Sequence, residues 1–134
     1  MIVVDTTVWS KAYRRRKIAD EDCKTIEKFR NILDTEEEIL IGPVRQELLS
    51  GIAKKDVFYD LLIKLNGFNN YEVQVADHDL AAEYFNLCLS HGIQGSQTDY
   101  LICAVACRYG AEIFTEDNDF IKYKKYLPIK LYKQ

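Results

Sequence analysis

The run Ile2, Val3 and Val4 is continuously apolar and stops at Asp5, as expected of a strand buried on both faces. Residues 6–14 then predict a short helix that Thr6 or Thr7 can cap. Residues 20–34 predict a longer helix, because Ile26, Phe29 and Leu33 fall on one helical face. "EILIG" at 38–42 reads as a strand ending at Gly42-Pro43, and a helix begins at residues 44–51. Phe58, Leu61, Leu62 and Leu65 stripe a further helix. "YEVQV" at 71–75 alternates with the period of a strand. Leu80, Tyr84, Leu87 and Cys88 return to the helical period, which Gly92 ends. Residues 97–109 are apolar on all sides, the pattern of an interior helix, and Gly110 closes it. "EIFT" at 112–115, a short helix and "IKLY" complete the chain.

Strands separated by helices imply right-handed crossovers and a mostly parallel sheet with helices on both faces, an α/β fold. In such a sheet the C-terminal strand ends share one edge, and binding residues gather beyond it. Asp5 ends the first strand and Asp117 follows "EIFT", so two acids from opposite ends of the sequence are expected to meet.

The chain has 134 residues, 48% apolar and 29% charged, which is enough for one core without cross-links. Asp5 interrupts the N-terminal apolar run too early for a signal peptide, and no apolar stretch reaches membrane-spanning length. A cytoplasmic protein is the expectation. The four cysteines, Cys23, Cys88, Cys103 and Cys107, form no CxxC pair and read as reduced residues, not a zinc or redox site. His78 and His91 are not spaced as ligands and read as surface or helix-end residues. The net charge of −3 argues against indiscriminate nucleic-acid binding. Basic islands at Arg14 to Lys17, at Lys54 and Lys55, and in "KYKKYLPIKLYK" are either solvated faces or contacts for phosphates.

Two further acids stand in apolar surroundings: Glu47 in "VRQELLSG" and Asp99 at the first turn of the apolar helix. Each acid has a plainer reading when taken alone. Asp5 could cap a helix, Asp99 could favour a helix dipole, Glu47 could face solvent, and Asp117 and Asp119 could form turns. Taken together they point elsewhere. Convergent carboxylates cannot all stay ionised without a cation, and a hard divalent ion with oxygen ligands, Mg²⁺ or Mn²⁺, resolves the conflict. Such a site suits phosphodiester hydrolysis.

The pieces "VVDTTVWS", "QELLSGI" and "TDYLICAVACRYGAEIFTEDNDF" occur in this order and spacing across nearly the whole chain. In that set the sequence resembles the PIN-domain ribonucleases of the VapC type, the toxin halves of toxin–antitoxin pairs. The resemblance implies a single PIN domain over residues 1–134. It implies a PIN-like α/β/α sandwich with a mostly parallel central sheet, and Mg²⁺- or Mn²⁺-dependent cleavage of RNA. It places the catalytic and metal-binding acids at Asp5, Glu47, Asp99 and Asp117, with Asp119 as an additional metal candidate. Thr6 and Thr115 fall where a small hydroxyl would hydrogen-bond those acids or a water, or act as a plain cap or turn. Cys103 and Cys107 depart from the alanine or small residues often found in such helices. The resemblance also implies a homodimer, and a cognate VapB-like antitoxin whose C-terminal tail enters the acidic groove, often with an arginine. Trp9, Tyr13, Phe58 and Tyr59 either line an apolar groove for that partner or belong to the core.

Two other classes compete. A phosphoaspartate enzyme would use Asp5, although haloacid-dehalogenase-like enzymes want a second Asp where Thr7 stands, and the receiver-domain pattern is not clean. A non-catalytic RNA- or protein-binding PIN-like module would keep the acids without turnover. Metal-dependent RNA hydrolysis abolished by Asp5→Asn and Asp99→Asn separates the nuclease from both.

Overall fold

All of the residues in the strands β1 (Ile2–Val4) and β2 (Glu38–Ile41) are buried, which explains the apolar runs Ile2–Val4 and Ile39–Ile41. The computed structural model describes residues 1–14 and 19–132. Arg15, Arg16 and Lys17 of the first basic island and Lys133 of the last lie outside the described residues. β3 (Asn70–Tyr71), β4 (Glu112–Phe114) and β5 (Lys130–Leu131) complete a five-stranded sheet ordered β3-β2-β1-β4-β5. Every pairing is parallel. In the register at the centre, Val3 faces Ile39 on one side and Ile113 on the other, and Val4 faces Phe114. The C-terminal ends of β1 and β4 therefore lie level. Asp5 and Thr115 leave the sheet together, and the Asp5 N–H donates to the Phe114 carbonyl at 2.9 Å.

Helices flank this sheet. α1 (Thr6–Trp9) continues as a π-helical turn, Ser10–Arg14. A 3₁₀ turn at Asp20–Asp22 leads into α2 (Cys23–Thr35). α3 (Gly42–Leu49) begins two residues earlier than the sequence suggests, because Pro43 sits in its first turn, where a missing N–H costs nothing. α4 (Lys55–Asn66), α5 (Val75–Ser90), α6 (Gln97–Tyr109) and α7 (Asp119–Lys124) follow. α6 packs on β1 and β4 and against α5. Tyr100 and Ile102–Ala106 are buried, as an all-round apolar helix requires. Gly110 ends α6 at φ +61°, the left-handed conformation that favours glycine.

Two expectations need correction. The alternation at 71–75 is not one strand: β3 stops at Tyr71, and Val75 starts α5 with 78% of its surface exposed. A capping box decides this boundary, because Asp77 accepts from the Gln74 N–H at 2.8 Å while Gln74 caps the third helical N–H. The buried stripe of α5 is Asp77, Ala81, Tyr84 and Cys88, and Leu87 points outward at 41% exposure. Asp77 is tolerated inside because Arg108 of α6 grips it with two nitrogens, Nε at 2.8 Å and Nη2 at 2.9 Å.

Trp9 belongs to the core. Its indole is fully buried edge-on to Phe29 and Phe68, and Nε1 donates to the Val4 carbonyl at 3.1 Å. Tyr13 is half-buried against the same rings, Phe58 is half-buried, and Tyr59 is exposed. All four cysteines are free thiols: Cys88 and Cys103 buried, Cys107 half-buried, Cys23 exposed. His78 is exposed on α5, and His91 caps the end of that helix while stacking on Tyr126.

Candidate active site

Asp5 follows β1 and is 3% exposed. Its Oδ1 accepts from the Thr6 N–H at 2.8 Å, so it caps α1. Its Oδ2 accepts from the hydroxyls of Thr7 at 2.7 Å and Thr115 at 2.8 Å. The threonines in turn hold the opposite loop. Thr7 Oγ1 accepts from the Glu116 N–H at 3.3 Å, and Thr115 Oγ1 accepts from the Asp117 N–H at 2.9 Å. The Glu116 side chain is anchored by the Thr25 hydroxyl of α2. The loop after β4 is therefore tied to the loop after β1 by hydroxyl bridges, and Asp5 is their common acceptor.

That loop turns again at Asp117, whose Oδ1 accepts from the Asp119 N–H at 2.9 Å. Asp117 thus does act as a turn former, while Asp119 begins α7. They also come together with Asp99. The three offer carboxylate oxygens that all lie within 4.8 Å of one another. Asp99 reaches this group from the first turn of α6, where Ser96 caps the helix by accepting from the Asp99 N–H at 3.1 Å. Asp5 and Glu47 are outside that three-membered group. Asp5 sits close enough for its charge to act on Asp99. Glu47 is exposed on α3, and its Oε2 accepts from the Thr6 hydroxyl at 2.8 Å. Lys122 pairs with Asp119 at 3.5 Å, both side chains in water, so the pair is weak and exchangeable.

Burial raises two of these carboxyls, and neighbouring acids add to the shift. The Asp99 carboxyl is pushed up to about 6, first by burial and then by the charges of Asp5 and Asp117, against hydrogen bonds from Tyr123 and Ser96. Asp5 is also raised, mainly by burial, although its three donors oppose the shift and Asp117 adds to it.

Three participants escaped the sequence reading: Thr7, Ser96 and Tyr123. Tyr123 is fully buried in α7, and its hydroxyl donates to Asp99 Oδ2 at 2.6 Å. Burial first, then the hydrogen bond to Asp99 and its charge, hold that phenol above its ordinary range. The one available signal was that a core tyrosine needs a partner for its hydroxyl.

A sequence profile for the PIN domain matches residues 2–126. The chain belongs to the PIN domain family. No curated protein sequence matches this PIN domain. Solved structures do. "VapBC2 from Rickettsia felis bound to a DNA fragment from their promoter" superposes with a TM-score of 0.78 at 17% identity, covering 100% of this chain and 99% of that one. "FitAcB from Neisseria gonorrhoeae" gives 0.76 at 17% identity, covering 99% and 97%. A "toxin-antitoxin complex from Klebsiella pneumoniae" gives 0.64 at 15% identity, covering 90% of each chain. At these identities the likeness is one of fold, and it runs the length of this PIN domain.

A divalent cation fits the donor set. Three carboxylates converge, all oxygen donors, and one of them carries a pKa raised in part by its neighbours' charges. Hard ions of the Mg²⁺ class take such ligands.

Proposed function

We propose that this PIN domain is a Mg²⁺- or Mn²⁺-dependent endoribonuclease, the toxin of a VapBC-type toxin–antitoxin pair. The observation that carries the reading is the convergence of Asp99, Asp117 and Asp119 beside buried Asp5, at the C-terminal edge of the parallel sheet. Family membership and the likeness to toxin–antitoxin structures support it.

In this reading Asp99, Asp117 and Asp119 hold the cation, with Asp5 completing the negative wall and Glu47 at its rim. When bound, the ion supplies an acidified water, polarises the phosphoryl oxygen and stabilises the leaving oxygen. The rest belongs to the chain. Thr7 and Thr115 keep Asp5 facing the site by occupying Oδ2. The Asp99 carboxyl, raised to about 6, is the group able to exchange a proton with a water near neutral pH. Exposed Lys54, Lys55, Lys124 and Lys125 are candidates for holding flanking RNA phosphates. The likeness to toxin–antitoxin structures supports a VapB-like antitoxin as partner; a homodimer is proposed on the resemblance to VapC-type toxins and a cytoplasmic setting on the sequence. Among the described residues, no helix is long and apolar enough to cross a membrane.

The phosphoaspartate alternative fares poorly, because Asp5 is 3% exposed and both its oxygens already accept hydrogen bonds. The test is incubation of the purified chain with total RNA in Mg²⁺ or Mn²⁺, with EDTA and Asp99→Asn controls. Discrete cleavage that needs the metal and Asp99 supports the nuclease. Metal binding without cleavage favours a binding module.

A further inference from the structure

The geometry points to Tyr123 as the residue that positions Asp99 for the metal, with Gly95 as the gap that lets it do so. The inference rests on the metal-dependent reading above and goes beyond it, because Tyr123 is not an acid and cannot itself hold the ion. Tyr123 lies on α7, one turn after Asp119 and 24 positions after Asp99, and its hydroxyl meets Asp99 Oδ2 at 2.6 Å. Ser96 caps α6 at the Asp99 N–H and fixes the backbone, but it leaves the carboxylate free to rotate. A donor at one carboxylate oxygen stops that rotation and sets which way the other oxygen faces.

The phenol is itself held on several sides. Its ring is fully buried and packs against Phe120, with centroids 5.2 Å apart, and against Tyr100 at 5.1 Å. Its hydroxyl end fills the space in front of Gly95, in the loop between α5 and α6. A Cβ at Gly95 would stand 2.4 Å from the Tyr123 hydroxyl oxygen and 2.8 Å from that of Tyr100. No side chain fits there while Tyr123 reaches Asp99. The φ of Gly95 is not in the left-handed range, so what keeps this residue small is contact, not backbone conformation.

The same core supplies a matched control. Tyr100 is as deeply buried, lies against the same glycine, and its hydroxyl makes no hydrogen bond of ordinary geometry among the described residues. Removing that hydroxyl deletes an equal polar atom from the same core without touching Asp99.

The experiment is Mn²⁺ titration of the full chain by calorimetry, with melting curves in EDTA to establish folding, on wild type, Tyr123→Phe, Gly95→Ala, Tyr100→Phe and Asp99→Asn. Tyr123→Phe keeps the ring and is expected to weaken Mn²⁺ about 10–100-fold, the usual effect of losing a group that orients a metal ligand. Gly95→Ala should do the same by displacing the Tyr123 hydroxyl, although it alters no polar group. Tyr100→Phe should bind as wild type does. Mn²⁺ affinity within twofold of wild type in Tyr123→Phe, while Asp99→Asn abolishes binding, would overturn the positioning role and leave the metal site standing. Equal weakening in Tyr100→Phe would overturn it in favour of a general packing effect. A folded wild type that binds no Mn²⁺ would overturn both this inference and the reading it rests on.

Discussion

The Thr115 hydroxyl and Asp5 Oδ2 are 110 positions apart in sequence and 2.8 Å apart in space. This bond spans the two central strands at their C-terminal ends and carries the loop of Asp117 with it, since Thr115 Oγ1 also accepts from the Asp117 N–H. Replacing Thr115 by the isosteric Val leaves a buried carboxylate short of a donor. The expected loss is about 1–3 kcal/mol in urea denaturation, with Thr115→Ser retaining most of the stability.

Stability without metal should depend on pH in an unusual direction for an acid-rich protein. Asp99 is raised from its ordinary 3.8 to about 6, so the folded chain binds this proton more tightly than the unfolded one. That contribution is fully present below 3.8 and is lost as pH rises through about 6. Asp5, raised as well, acts in the same sense. In EDTA, the urea midpoint should therefore fall between about pH 4 and 6 more steeply in wild type than in Asp99→Asn. Adding Mn²⁺ should reverse the trend, because metal and proton compete for the same carboxylate and metal stabilisation grows above pH 6. Identical pH slopes for the two proteins in EDTA would rule out a strained Asp99.

Arg108 and Asp77 lock the end of α6 to the start of α5, far from the acids. The Asp77 side chain is 2% exposed and that of Arg108 25%. Arg108→Ala leaves a buried carboxylate unpaired and should cost about 2–3 kcal/mol in chemical denaturation. Below its melting range the variant should keep Mn²⁺ affinity, because Asp77 takes no part in the acidic group.

Trp9 and Tyr59 should part company under substitution. Trp9→Ala removes a fully buried indole and its bond to Val4, an expected loss of about 3–5 kcal/mol. Tyr59 is 56% exposed, and Tyr59→Ala should change stability by no more than about 0.5 kcal/mol. Thermal melts of the two variants check this.

What was legible in the sequence depended on how local the cause was. The β1 and β4 runs announce buried strands, and their terminal acids follow from where parallel strands end. The bounds of α6 were legible too, because the apolar run over residues 97–109 stops at Gly110. Val73 and Val75 misled because period-two alternation over five residues also occurs at the start of a helix; the Gln74–Asp77 capping box was the better signal. Leu87 misled because Asp77 takes a place on the buried face that only its pairing with Arg108 permits. Thr7 and Tyr123 could not be read from spacing. Their roles come from partners on other elements: Glu116 for Thr7, and Asp99, 24 residues away, for Tyr123.

The most direct measurement is anomalous diffraction from a crystal of the full chain soaked in Mn²⁺. The account predicts a single strong peak within coordination distance of Asp99, Asp117 and Asp119, absent in an Asp99→Asn crystal treated alike. A well-ordered crystal with no peak there, or with the ion held elsewhere, would contradict the claim that these acids converge to bind a metal.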